Sequence, residues 1–337
     1  MGPSHPHPDP QTEAERKEPG RGRGARTPSE IPRAGWRDIL LRIWQRIGED
    51  NLSLVSAGVA LNTLLAVFPA LTVLASVYGM FASPGEVGHD LAPFYGILPH
   101  EAAGIIQTQL EALARPRNQT LGIGAIVSFV ATVYYSSQGV SALMSATNIA
   151  YSERERRGFI KVIVVALGFA VGAVAGFVVM LLLTVAVPLG LEHLPLPHFV
   201  AMAALVFRWI LLWLFAALGL AIVYRYAPSR ENPRWRWVTW GSVTAATLWL
   251  VSSVLFSLYV RNFGSYGKTY GALGGVIVLL MWFYLQSYAI VLGAEFNAET
   301  EHQTAVDTTR GPPAPMGERG AYVADTLGPS QSSKSKS

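Results

Sequence analysis

Apolar residues gather in six long runs separated by short polar stretches, at positions 54–81, 121–143, 159–189, 199–224, 238–260 and 272–294. Each run is long enough to cross a hydrocarbon layer about 30 Å thick, which takes roughly 20 helical residues. None holds more than one formally charged side chain. Water is absent from that layer, so the backbone must satisfy its own hydrogen bonds, and the runs are expected to be helices. The pattern predicts an all-α polytopic membrane protein with six transmembrane helices. A shorter pattern precedes the first run. Trp36, Ile39, Leu40, Ile43, Trp44 and Ile47 recur at spacings of three and four, with Arg37, Arg42, Gln45 and Arg46 largely opposite. Such a face predicts an amphipathic helix lying in the membrane surface. A second amphipathic helix is expected at 99–114, in the long segment after the first run.

Charge orients the runs. Arg33, Arg37, Arg42 and Arg46 precede the first run, Arg154, Arg156, Arg157 and Lys161 follow the second, and Arg225, Arg230, Arg234 and Arg236 follow the fourth. The alternate segments hold Arg115, Arg117, Arg261 and Lys268. Twelve basic residues against four places both termini on the cytoplasmic side. Composition divides the chain into a disordered tail at 1–32, a transmembrane domain at 33–300 and a second disordered tail at 301–337, because both ends lack apolar residues to bury.

Polar groups inside a membrane are costly and mark function. Asn62 lies mid-way along the first run, Gln138 in the inner half of the second, and Gln286 in the inner half of the sixth. Arg208 stands nine residues into the fourth run, about 13 Å deep at about 1.5 Å per residue. That is too deep for the side chain to reach the surface easily. Asn62, Gln138, Arg208 and Gln286 are therefore the candidate lining of a substrate seam, and the cation favours an anionic substrate or lipid phosphate. For each amide the alternative is a bond between helices. Gly168, Gly172 and Gly176 repeat every fourth residue, as do Gly271 and Gly275. Small residues at this spacing predict close helix packing. Glu295 is expected to pack against the arginines at the inner end.

Catalytic signatures are missing. The chain has no phosphate-binding loop, H-E-x-x-H or G-x-S-x-G, and its acidic residues do not cluster as a two-metal site requires. With zero cysteines, thiolate chemistry is excluded. No enzyme activity, metal or cofactor is expected. The basic residues are divided among short loops, which suits anionic lipid head groups better than nucleic acid.

Three blocks resemble a known family. They are Ala57-Gly58-Val59-Ala60-Leu61-Asn62 leading to Val67-Phe68-Pro69, then Asn148-Ile149-Ala150-Tyr151 with Arg156-Arg157-Gly158-Phe159, and finally Tyr270-Gly271-Ala272-Leu273-Gly274 through Trp282-Phe283-Tyr284 to Leu292-Gly293-Ala294-Glu295-Phe296-Asn297. Over about residues 35–300 the chain resembles the YihY/virulence factor BrkB family. That resemblance implies a bacterial inner-membrane protein with six helices. Members have been labelled ribonuclease BN, a label regarded as mistaken. Other suggestions for the family concern export of lipids or other envelope components. The resulting expectation is transport or binding of an anionic, amphipathic, lipid-related substrate, with a non-catalytic scaffold for envelope proteins as the alternative and a nuclease ranked below both.

Overall fold

The computed structural model of the protein describes residues 18–78, 123–181, 197–263 and 272–330. Helices are α1 (Arg33–Glu49), α2 (Leu52–Tyr78), α3 (Ile123–Ala150), α4 (Phe159–Leu181), α5 (His198–Tyr226), α6 (Trp235–Phe263), α7 (Ala272–Glu301) and the single turn α8 (Tyr322–Asp325). No strand occurs among the described residues. The protein is all-α, and α2 to α7 coincide with the six apolar runs. By length and hydropathy, Met202–Tyr226, Trp235–Arg261 and Gly274–Glu301 each suffice to span a membrane. Arg33–Glu49 and Leu52–Val67 together pass the same test but are bent by 64°. The expected helix at 99–114 lies outside the described residues, as does Gly271.

Asn51 makes that bend. It adopts φ 49°, a left-handed conformation that Asn tolerates better than most residues. Its carbonyl then accepts the amides of Leu54 and Val55, which starts α2. The helices close into a ring. α2 packs on α3, α3 on α4, α4 on α5, α5 on α6 and α6 on α7, and α7 returns to α2. α7 also touches α1, α3 and α8. It is buried over 39% of its apolar stretch, against 18% for α5 and 17% for α6, and so is the most enclosed of these three.

Two expectations change. The apolar face of α1 is divided: Ile39 and Ile43 are buried beside Trp237, with Leu292 and Phe296 of α7 packed against them, whereas Leu40 and Trp44 point outward. Arg42, expected on the polar face, is buried. The reason is an acidic partner on α7, described below.

The ends of the chain also differ from expectation. Residues 18–32 and 302–330, expected to be disordered, fold over the arginine-rich end of the bundle. Arg23 donates to the carbonyls of Gln303 and Gly328, and its own carbonyl accepts the Ala305 amide. Thr304 Oγ1 donates to Ala25 O at 2.7 Å, and Gln303 Nε2 to Arg21 O at 2.8 Å. Arg319 donates to the carbonyls of Ala305, Ala314 and Ala324. A few apolar residues of these segments, Ala25, Ile31 and Val323, join the core, and side chains that satisfy backbone carbonyls order much of the rest, a force that composition does not reveal. Residues 1–17 and 331–337 lie outside the described residues.

Candidate functional site

Contacts between neighbouring helices bring Gln138 and Gln286 to the level of Asn62 and leave Arg208 further from the arginine-rich end. A Cβ on Gly139 of α3 would lie 3.3 Å from Thr63 Cα and 3.5 Å from Asn62 O, so Gln138 stands beside the Asn62 turn of α2. Val59 packs with Val291 and Tyr288, while Leu64 packs with Leu279 and Phe283. The turn of α7 between those contacts holds Gln286. Trp213 Nε1 of α5 donates to Thr247 Oγ1 of α6 at 3.2 Å. Arg208 lies five residues before Trp213 and sixteen before Tyr224, whose hydroxyl donates to Ile290 O of α7, whereas Gln286 is only four residues before Ile290; Ser252 lies five residues after Thr247. Ser252 Oγ in turn donates to Gln286 Oε1 at 3.5 Å.

Local bonding uses part of this polar level. Asn62 Nδ2 donates to Gly58 O of its own helix at 2.8 Å. The Arg208 guanidinium lies 5.4 Å from the centroid of the Trp209 ring. Gln286 is buried, and its Nε2 has no hydrogen-bond partner among the described residues. A buried amide N–H₂ in that position costs about 1–3 kcal/mol.

Below this level, at the arginine-rich end, lies a charged layer. Arg42 Nε donates to Glu299 Oε2, and its Nη2 to Glu299 O at 3.0 Å. Arg46 reaches Glu299 Oε1 at 3.4 Å, Asp50 Oδ2 at 3.5 Å and Ser152 Oγ at 3.0 Å. Arg230 grips both oxygens of Glu301 and lies 5.0 Å from the Tyr151 ring centroid. Burial opposes the Arg230 charge, but the Glu301 carboxylate outweighs it and holds the guanidinium pKa above its ordinary value. Glu295 is fully enclosed near Asp50, Glu299 and Arg46, and neither carboxylate oxygen has a hydrogen-bond partner among the described residues. Arg46 is near enough for its charge to act on Glu295, but no ion pair between them forms among the described residues, and the Asp50 and Glu299 carboxylates lie beside it too.

The terminal block Leu292–Asn297 has a visible packing role. Gly241 of α6 meets α7 so closely that a Cβ there would strike Gly293 O and the Asn297 side chain. A Cβ on Gly293 would lie 2.6 Å from Ala245 Cβ and 2.5 Å from the Tyr224 hydroxyl. Asn297 then bridges the crossing: its Oδ1 accepts the Gly241 amide at 2.7 Å and its Nδ2 donates to Val238 O at 3.2 Å. Tyr224 of α5 donates to Ile290 O at 2.7 Å, so three helices meet at this point. The stripe on α4 behaves otherwise. A Cβ on Gly168 or Gly172 would meet nothing within 4 Å, and one on Gly176 would make ordinary contact with the Phe215 ring. The expected close packing through that stripe is therefore not made among the described residues. Gly275 is buried in α7.

The loop after α3 ties its end to the α5–α6 connection. Asn148 Oδ1 accepts the Ser229 amide at 2.7 Å, and Ser229 Oγ accepts the Arg156 amide at 3.0 Å. Arg157 pairs with Glu155 and donates to Ala227 O at 2.6 Å. The Arg157 hydrogen bond, against some burial, lowers the Glu155 carboxyl to about 2. Burial instead raises that of Glu153, although it accepts the Tyr322 amide at 2.6 Å.

Sequence reasoning missed Asp50, Tyr151, Tyr224, Glu299 and Glu301 as members of this end. One signal was available: Glu295 and Glu299 are four residues apart at the close of an apolar helix, on one face, in a chain with three arginine-rich segments.

The profile of the family described as Virulence factor BrkB matches residues 43–317. The chain belongs to that family. BrkB relatives include YfkH of Bacillus subtilis (strain 168), whose name likens it to a ribonuclease; it is 32% identical over 254 residues, covering 72% of this chain and 88% of YfkH. A UPF0761 membrane protein of Tolumonas auensis is 26% identical over 273 residues, covering 80% and 87%. Another, from Psychromonas ingrahamii, is 26% identical over 269 residues, covering 78% and 87%. No solved structure matches the chain. The protein is thus an integral membrane protein of the BrkB/UPF0761 family.

Proposed function

We propose that this BrkB protein lies in the bacterial inner membrane with six crossings and both termini in the cytoplasm, and that it binds or moves an anionic, amphipathic, lipid-related envelope substrate. It performs no chemistry on that substrate and uses no cofactor. The observation that carries the reading is the buried Gln286, whose Nε2 has no hydrogen-bond partner among the described residues, at the level of Asn62 and Gln138 on two neighbouring helices. In an apolar bundle, polar groups at one level offer a head group a place to rest between the two surfaces. Arg208 supplies the charge complement for an anion. On the membrane surface, Leu40 and Trp44 at the outward face of α1 have the chemistry of an interfacial anchor.

The test uses purified protein in liposomes containing fluorescent phosphatidylglycerol, with exchange between leaflets read by an impermeant quencher. Wild-type protein is expected to accelerate exchange, and Arg208→Ala to reduce the rate about tenfold, the worth of one charge-assisted contact. An Arg208→Ala rate equal to wild type removes the seam.

A second reading is a non-catalytic scaffold for envelope proteins. It draws on the face of α4 at Gly168 and Gly172, where a Cβ would meet nothing within 4 Å among the described residues. It requires stable co-purification of an envelope protein, lost in Gly172→Leu, and no lipid exchange. A nuclease ranks third. It requires metal-dependent RNA cleavage that survives removal of contaminating enzymes.

A further inference from the structure

We propose that the notch between the first turn of α4 and the α5–α6 connection holds the phosphate head group of an anionic lipid, with one acyl chain lying along the first two turns of α4. The notch is a cavity of about 410 Å³ whose lining includes Arg156, Lys161, Tyr226, Ser229 and Asn232. A neighbouring groove of about 580 Å³ is lined by Gly158, Phe159, Ile160, Lys161 and Val164. Lys161 belongs to both, so a charged recess opens directly onto an apolar one. Phe159 is 74% exposed, Ile160 77% and Val164 61%. Three apolar side chains bared beside a cationic recess fit one amphiphile better than a free ion or a peptide.

Charge accounting separates walls from ligands. Arg157 is engaged by Glu155 and by the carbonyl of Ala227, and Arg230 is closed against Glu301. Those two arginines shape the notch and are already neutralised. Arg156 is different: its side chain is 65% exposed and its single ion pair among the described residues, with Glu153, is at 3.3 Å. Lys161 is exposed and makes no hydrogen bond or ion pair among the described residues. Glu231, an exposed acid, lies in the same lining, so a monoanionic phosphodiester fits the balance better than a multiply charged group. The first turn of α4 has no acidic residue, and the free amides of a helix start favour an anion. The head group therefore meets two exposed cations and a helix N-terminus, while its tail lies against Phe159 and Ile160.

The site shares only its ligand class with the lipid reading above; it lies at the arginine-rich end and not at the level of Arg208. Full-length protein in detergent is titrated with short-chain phosphatidylglycerol, short-chain phosphatidylcholine and inorganic phosphate, and binding is read by calorimetry. Phosphatidylglycerol is expected to bind at least about tenfold more tightly than either of the others. Lys161→Gln combined with Arg156→Gln is expected to erase that preference while leaving the melting temperature unchanged. Arg208→Ala is expected to retain it, so failure here and failure of the seam give different patterns. Equal affinity for the two lipids overturns the proposal. So does an unchanged preference in the double variant. Inorganic phosphate binding as tightly as phosphatidylglycerol replaces the lipid site by a free-anion site. As a guard against damage to α4, Phe159→Ser keeps both cations and is expected to weaken the lipid but not phosphate.

Discussion

At the scale of single residues, the chain spends its buried charge in pairs. Arg42 and Glu299 are 4% and 3% exposed, and Arg230 and Glu301 are 0% and 1% exposed. Such pairs add little net stability compared with apolar residues, but losing one member strands the other. Glu299→Ala should therefore lower stability by about 3–5 kcal/mol, read as a large fall in melting temperature in detergent. Glu299→Ala with Arg42→Met, which removes both charges, should recover much of the loss. Melting of the double variant no higher than that of the single one would show that the pair is not what holds α1 to α7. The sequence made the polar seam residues legible because a charge or amide inside an apolar run is conspicuous. It hid the pairs, because Arg42 and Glu299 are 257 positions apart and each looks like an ordinary solvent-facing charge.

At the scale of elements, length and hydropathy were enough to place α2 to α7, since twenty apolar residues in sequence have few other uses. Neighbours were harder to read. The regular glycine spacing of α4 pointed to a close crossing, yet the crossing that forms uses Gly241 and Gly293, which share no motif spacing. What matters there is the partner surface: Asn297 completes the contact with two hydrogen bonds, and Tyr224 closes it from a third helix. Gly293→Ala should cost about 1–3 kcal/mol through overpacking, whereas Gly172→Ala, whose Cβ would meet nothing within 4 Å among the described residues, should change stability by less than about 0.5 kcal/mol. Comparable losses in the two variants would contradict the assigned crossing.

At the scale of the whole molecule, the alternation of arginines predicts that both ends share one side of the membrane. Reporter domains fused before residue 18 and after residue 330 should both be active only in the cytoplasm, and one placed near residue 190 only outside. A reporter at either end that works outside the cell would overturn the six-crossing arrangement. The closed ring was beyond the reach of sequence, because it depends on which lipid-compatible faces meet each other. The folded ends were hidden for a different reason: polar, proline-rich composition describes the lack of an apolar core and is silent about carbonyls awaiting an arginine. That clasp sets a timetable for biosynthesis. Arg23 emerges from the ribosome near the start of translation, yet its acceptors at Gln303 and Gly328 are made some 280 and 305 residues later. Every growing chain must wait in the bilayer with its inner end unlatched until the last stretch is released, and a nascent chain cut short before that moment leaves an open end for quality-control proteases to grasp.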